Sequence, residues 1–285
     1  MRTATSNLQL LEPADLAGAL TLLREVPHAV PLAGCTDLYV GLNFGTDANE
    51  VFLNLWGLDE LRGIERRKDG VLALGALTTY TELCRSPLVK KHVPMLVEAS
   101  RLVGGVQIQN RGTLGGNIAN ASPAADTPPA LIVYDAELEV VSSRGTRRVP
   151  YDRFHTGYKR MDLGADELVA RVHVPKRAAT WRQYYRKVGT RRAQAISKVC
   201  MAMACDVTAD GLVNDVRIAL GSVAPTVVRA RAAEAALRGH HLSAGTIAAA
   251  EAALEREIAP IDDIRSNARY RMRVARSLLR EALRL

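Results

Sequence analysis

The sequence is poor in aromatic residues, with 3 Phe, 2 Trp and 8 Tyr in 285 residues. Its core must therefore rest on Leu, Val, Ile and Ala. Cysteine is also scarce, with 4 residues, at positions 35, 84, 200 and 205. None forms a CxxC pair, and the spacing fits neither a zinc ribbon nor the C-x4-C-x2-C run of a plant-type iron–sulfur domain. Cys200 and Cys205 lie in an apolar run and read as small core residues. There is no HExxH, and the six histidines are scattered apart from His240 and His241, so no intrinsic metal site is expected. GxGxxG is missing, which disfavours a Rossmann cofactor site, and the missing G-x4-G-K-[ST] excludes a P-loop. No apolar run approaches the length of a membrane span, and residues 1–20 lack the pattern of a signal peptide. These absences point to a cytoplasmic chain without a membrane span.

The composition is otherwise that of a globular protein, with 48% hydrophobic and 24% charged residues. The length gives an expectation of roughly two domains at about 150 residues each. The net charge is +8, with 31 Arg against 7 Lys. Such a balance fits a nucleic acid, an anionic ligand, an acidic partner, or a solvated surface biased toward Arg.

Apolar spacing predicts a helix over 13–26, with Pro13 at an early helical position. Strands are predicted at 29–34, running into a glycine turn, and at 51–55. Leu38 to Leu42 continue this unit, and residues 1–57 read as a small α/β lobe. A second lobe, 58–175, opens with a strand at 71–76 and a helix over 87–103 that restarts near Pro94. Residues 104–127 form a long polar stretch rich in Gly, Asn and Ser, the kind of irregular segment that often carries function. Period-two patterning marks strands at 137–141 and 168–174.

The third lobe, 176–285, begins with a stretch of eight cations and no acid: Lys176, Arg177, Arg182, Arg186, Lys187, Arg191, Arg192 and Lys198. Two strands follow, 199–207 and 212–220, with the turn signal Ala209-Asp210-Gly211 between them. Helices are expected at 226–238, 243–258 and 262–284. The fold class is α+β, with three lobes.

Two glycine-bearing turns carry the chemistry. The first comprises Pro31, Leu32, Ala33, Gly34, Cys35, Thr36, Asp37 and Leu38, directly after a strand. The second runs from Asn110 to Asn117 and holds Gly112, Gly115 and Gly116. Glycines permit positive φ and close approach of backbone N–H groups to a ligand, and successive N–H groups form a concave anion site. Two such turns, about 80 residues apart, could grip the two ends of a dinucleotide. For Gly34 alone the plainer reading is a turn residue.

The segment NRGTLGGNIANASPAAD resembles the signature of the FAD-binding subunit of molybdenum hydroxylases. This family includes the flavin domains of xanthine dehydrogenase and the medium subunit of aerobic carbon monoxide dehydrogenase. AGCTDL resembles the family's first flavin loop, AGGTDL, with Cys35 replacing its second glycine. Gly221-Ser-Val-Ala-Pro-Thr and Pro260-Ile-Asp-Asp-Ile-Arg-Ser-Asn-Ala-Arg-Tyr-Arg resemble the family's C-terminal domain. The similarity thus covers the whole chain. It implies a two-lobed FAD-binding domain followed by a small C-terminal α+β domain of antiparallel sheet and helices.

The resemblance places FAD contacts on Pro31 to Leu38 and on Thr113, Leu114, Gly115, Gly116 and Asn117. It adds Val103, Asp126, Val169 and Lys187. Taken alone, Asp126 reads equally as an N-cap for a helix starting near Pro128, and Lys187 as one more exposed cation. The implied protein is an electron-transfer flavoprotein subunit. Partner subunits would carry the molybdopterin and two [2Fe–2S] clusters in a heterotrimer, often doubled. No extra 4Fe–4S cluster is expected, and no residue of this chain is assigned a catalytic role. Its acceptor would be NAD, oxygen or a quinone. RKVGTRRAQAISKV resembles the xanthine dehydrogenase branch, which implies a purine or N-heterocycle as the substrate of the complex. Two rival readings remain. One is a free-standing FAD-dependent oxidoreductase. The other is a basic nucleic-acid-binding protein using residues 176–198, with Trp181, Tyr184 and Tyr185 as stacking groups.

Overall fold

The structure is a computed structural model and describes residues 7–176 and 181–284. Arg177 and residues 1–6 of the expectations above lie outside the described residues.

The chain opens with β1 (Gln9–Leu11), α1 (Leu16–Glu25), β2 (Val30–Leu32), α2 (Leu38–Phe44) and β3 (Val51–Asn54). The strands form a parallel sheet in the order β1-β3-β2. Helix α1 is capped by Asp15, whose carboxylate accepts from the Gly18 N–H at 2.7 Å. Pro13 therefore precedes the cap and does not sit in the helix. Ala19, Leu20 and Leu23 form its buried face, packed on Leu53, Leu55 and Leu77.

Next come β4 (Ile64–Arg66), β5 (Leu72–Gly75), α3 (Tyr80–Arg85), α4 (Pro87–His92), α5 (Pro94–Arg101), α6 (Val106–Arg111), α7 (Leu114–Ala119) and α8 (Pro128–Val133). They are followed by β6 (Glu137–Ser142), β7 (Gly145–Pro150), α9 (Tyr151–Phe154), β8 (His155–Gly157), β9 (Arg160–Met161) and β10 (Leu168–Val174). A five-stranded sheet runs β4-β5-β10-β6-β7, with every neighbouring pair antiparallel. The helix expected over 87–103 divides at Val93, because Pro94 lacks the N–H needed to continue it. The stretch 104–127 is more regular than its composition indicates, since it contains both α6 and α7. Each has six residues, too short for apolar periodicity to show.

The C-terminal part holds β11 (Arg182–Val188), β12 (Val199–Val207), β13 (Val213–Gly221), β14 (Val228–Arg229), α10 (Arg231–Leu237), α11 (Ala244–Glu257) and α12 (Ala268–Leu283). Its sheet is antiparallel in the order β11-β12-β13-β14. The helix expected from 226 begins at Arg231, because residues 228–229 instead add an edge strand. The helix expected from 262 begins at Ala268, capped by the Asn267 side chain. Cys200 and Cys205 are core residues of β12, at 0% and 2% exposure.

Candidate functional site

A cleft of about 1400 Å3 opens between the first two sheets and the C-terminal sheet. This exceeds the range of about 300–1000 Å3 for drug-sized ligands and suits a dinucleotide. Fifteen of the seventeen residues singled out above line it. The exceptions are Leu114, fully buried, and Lys187, behind the cleft wall.

The first loop leaves β2 at Leu32 and turns before α2. Cys35 has a φ of 60°, the left-handed region that favours glycine. A thiol therefore stands where the backbone calls for glycine, and its Sγ–H donates to the Ala33 carbonyl at 3.4 Å. Among the described residues, the N–H groups of Gly34, Cys35, Thr36 and Asp37 have no protein acceptor. A left-handed residue within a run of free N–H groups forms a concave donor site for an anion.

Gly34 is more than a turn residue. A Cβ there would lie 1.8 Å from the Arg111 carbonyl oxygen and 3.2 Å from the Gly112 nitrogen. The two glycine-bearing loops thus touch backbone to backbone. The Trp56 ring carries two cations over it, with the guanidinium of Arg111 at 3.8 Å and that of Arg62 at 4.6 Å from the ring centroid.

The second loop works differently from the expectation that its amides face a phosphate. The Gly115 N–H donates to Ala76 O at 2.7 Å, and the Gly116 N–H to Thr113 Oγ1 at 3.1 Å. Leu114 and Asn117 donate to Thr78 O and Thr113 O. These glycines serve close packing. A Cβ on Gly115 would come within 2.6 Å of the Ala76 Cβ, and one on Gly116 within 2.8 Å of Thr113 Oγ1. The loop forms a wall of the cleft in which the four amides from Leu114 to Asn117 are bonded within the protein, while the run of free donors lies at Gly34–Asp37.

Farther along the cleft, Asp126 sits in a network. Its carboxylate accepts from Lys187 Nζ at 2.6 Å and from Ser197 Oγ at 2.6 Å. Lys187 donates as well to Leu102 O at 2.9 Å, and Tyr185 donates its hydroxyl to Asp126 O at 2.9 Å. Asp126 is therefore not a helix cap, since α8 is preceded by Thr127 with no side-chain cap. Nor is Lys187 an exposed cation: its side chain is 6% exposed. Burial pushes the Asp126 carboxyl up from its ordinary range, and Lys187 and Ser197 pull it back. Val103 and Val169 add apolar wall.

The cleft also uses residues beyond the seventeen assigned contacts. Ala195, Ile196 and Ser197 line it from the loop before β12, and Ser222, Asp263 and Arg271 from the C-terminal domain. In that loop Arg191 folds onto its own chain, donating to Ala193 O at 3.0 Å and to Gln194 O at 2.6 Å.

The aromatics proposed for stacking on nucleic acid are engaged elsewhere. Tyr184 and Tyr185 are buried, and Trp181 packs on the core beneath Arg217. Of the cations, Lys187 is buried, Arg186 lies 3.8 Å from Glu281, and Lys198 lies over Tyr270. Residues 181–198 do not present a stacking strip.

The order of these parts matches known proteins. Residues 6–177 match the family described as "FAD binding domain in molybdopterin dehydrogenase", and residues 183–285 match "CO dehydrogenase flavoprotein C-terminal domain". The chain belongs to the FAD-binding subunits of the molybdopterin dehydrogenases.

It is 33% identical over 271 residues to a xanthine dehydrogenase FAD-binding subunit of Escherichia coli O157:H7, covering 95% of this chain and 92% of that protein. It is 30% identical over 278 residues to the nicotine 6-hydroxylase medium subunit of Paenarthrobacter nicotinovorans, covering 97% and 96%. Among solved structures, carbon monoxide dehydrogenase from Hydrogenophaga pseudoflava contains a chain that superposes with a TM-score of 0.94 at 31% identity, covering 100% of this chain and 98% of that one. Quinoline 2-oxidoreductase from Pseudomonas putida 86 gives 0.90 at 26% identity.

The cofactor is FAD, and the chain is an oxidoreductase subunit. The residues present suit FAD on structural grounds: the donor run at Gly34–Asp37 fits a pyrophosphate, and the cleft has dinucleotide dimensions. No helix among the described residues is long and apolar enough to cross a membrane.

Proposed function

We propose that this chain is the electron-transfer subunit of a molybdenum hydroxylase. It would accept electrons from [2Fe–2S] clusters on a small partner subunit and pass them to NAD, oxygen or a quinone. A molybdopterin-binding large subunit would oxidise the substrate, a purine or another N-heterocycle. The observation that carries this reading is the single cleft on which fifteen of the seventeen anticipated residues converge. The likeness to a xanthine dehydrogenase subunit and to a nicotine 6-hydroxylase subunit supports the substrate class.

Within the cleft, Gly34–Asp37 would hold the pyrophosphate through backbone N–H groups. Thr113, Gly115, Gly116 and Asn117 would shape the wall beside it. Val103 and Val169 would exclude water from the ring, and Asp126, held by Lys187 and Ser197, would fix its orientation. FAD supplies the redox chemistry, and the protein supplies position and electrostatics.

Expression of the tagged chain with the genes beside it tests the reading. The expected result is a yellow-brown complex of three unlike subunits containing FAD, iron and molybdenum. A flavin-loaded chain that purifies alone and turns over a substrate by itself would favour a free-standing oxidoreductase.

A further inference from the structure

Three segments of the C-terminal domain reach the cleft: residues 194–197 before β12, residues 222–225 after β13, and the turn around Asp263 before α12. One side chain ties them together. Arg271, in the first turn of α12, is 3% exposed. Its Nη1 donates to Lys198 O and to Ser222 O, both at 2.9 Å. Its Nη2 donates to Asp263 Oδ1 at 2.7 Å. The Nε–H is buried without a protein partner among the described residues, although Arg271 lines the cleft. A buried orphan donor is rare in native structures and calls for an explanation.

Ser222 is the next link. Its φ of 66° places a non-glycine residue in the left-handed region, a conformation that persists only where the surroundings over-determine it. Its N–H donates to Pro123 O at 2.8 Å, and its Oγ donates to Ser197 O at 3.0 Å. Arg271 holds the Ser222 carbonyl, and Ser197 donates to Asp126. A continuous set of hydrogen bonds thus runs from Arg271 through Ser222 and Ser197 to Asp126 and Lys187. It joins the C-terminal helix to the cleft carboxylate.

We propose that Arg271 is a positioning residue for the flavin: it fixes Ser222 and Lys198 so that Ser197 holds the Asp126 carboxylate in place within the cleft. The planar guanidinium suits this role. It meets two carbonyls and a carboxylate at once in a fixed fork, which the single Lys ammonium on a flexible stem does not reproduce. The charge alone is therefore insufficient.

This inference rests on the flavin lying beside Asp126, and the test separates the two. The full chain is stripped of flavin and retitrated with FAD, while affinity, the visible spectrum of the bound flavin and apo-protein melting are followed. The variants are Arg271→Lys, Ser197→Ala, their combination, and Asp126→Ala. Arg271→Lys and Ser197→Ala should each weaken FAD binding about tenfold and alter the bound spectrum in the same way. The combined variant should resemble either single one, because both break one network. Lower melting of Arg271→Lys with unchanged affinity and spectrum would overturn the proposal, as would fully additive effects. Unchanged FAD binding in Asp126→Ala would remove the flavin from that carboxylate and overturn both readings. A change in Asp126→Ala without one in Arg271→Lys would overturn only the Arg271 link. If Arg271→Lys does not fold, Ser222→Ala, which deletes only the hydroxyl on Ser197 O, carries the same test against Ser197→Ala.

Discussion

Gly34, in the loop after β2, and Arg111, the last residue of α6, lie far apart in sequence, yet a Cβ on Gly34 would stand 1.8 Å from the Arg111 carbonyl oxygen. Backbone cannot yield as a flexible side chain can. Gly34→Ala must therefore push the two loops apart, at a cost of about 1–3 kcal/mol for overpacking. The displaced loop is the one that carries the free N–H groups, so FAD uptake should fall together with stability. Flavin content and apo-protein melting on the same preparation check this. An alanine variant with wild-type flavin content would remove the close approach from any role in the cofactor site.

Cys35 should respond in the opposite sense. Its φ of 60° costs a non-glycine residue about 1–2 kcal/mol. Part of that cost returns when glycine loosens the unfolded chain. Cys35→Gly is expected to leave stability unchanged or raise it by up to about 1 kcal/mol, with FAD retained. Cys35→Val, β-branched at positive φ, should be clearly less stable than wild type. Equal stability of the Gly and Val variants in urea titrations would mean that the loop is not held in this conformation.

The pair formed by Lys187 and Asp126 supplies a third expectation. Both side chains are at least nine-tenths buried, 2.6 Å apart. Lys187→Met strands a buried carboxylate, and breaking such a pair costs about 3–5 kcal/mol. Removing both charges, as Lys187→Met with Asp126→Leu, should recover part of that loss while FAD binding stays weak. Chemical denaturation of the apo chain gives the first quantity and FAD titration the second. A double variant less stable than the single one would contradict this account.

Much of the fold was legible where a signal repeats. The period-two runs in β6 and β10, the turn at Ala209-Asp210-Gly211 and the restart at Pro94 all correspond to real features. The short helices α6 and α7 were hidden, because six residues show less than two turns of periodicity and their glycines look like loop. The cleft was legible as two loops, since glycine density is local. The division of labour between them was not. Whether the Gly115 N–H is free depends on Ala76 O, which lies almost 40 positions away. The role of Arg271 was equally invisible: it ends the family-like segment Pro260–Arg271, but on α12 it is one Arg among several. Only the fold shows that its guanidinium turns inward, while Arg276 and Arg280 pair with Glu251 on α11.

Acid should loosen the wall of the second loop. His155 packs its ring against Tyr151 and Phe154, and its Nε2 lies 2.9 Å from Ile118 O on α7. Burial lowers its pKa below the ordinary 6.5, and the bond to Ile118 only partly offsets this. The native state thus takes up this proton less readily than the unfolded chain does. The contribution is complete above pH 6.5 and is lost as the pH falls below it toward the depressed native value. His92 and His173, also lowered by burial, act in the same direction. Glu98 and Asp126, raised by burial, oppose it. His155→Gln keeps an amide donor for Ile118 O but cannot take up the proton. Its melting temperature should therefore decline less between pH 7 and pH 5 than that of wild type. Parallel profiles would show that His155 is not buried in its neutral form.

The remaining expectation concerns the acceptor. Arg191 and Arg192 precede the loop residues that line the cleft, and positive charge there would draw in an anionic acceptor. The structure separates their roles. Arg191 clasps the carbonyls of Ala193 and Gln194 and so shapes its own loop. Arg192 is exposed, and among the described residues it has no acidic partner. Arg192→Ala should therefore leave FAD content and melting unchanged. If the acceptor is NAD, the variant should slow reoxidation of the reduced complex at low ionic strength. The difference should shrink at physiological salt, where charges are screened within about 8 Å. Reoxidation by oxygen or an uncharged quinone should not change, because neither carries the charge that Arg192 attracts. Arg191→Ala should differ, lowering FAD affinity as the 194–197 wall loosens, whatever the acceptor. Stopped-flow reoxidation at several salt concentrations, with NAD and with a quinone, distinguishes these outcomes. Equal low-salt rates with NAD for wild type and Arg192→Ala would show that this cation does not face the incoming acceptor.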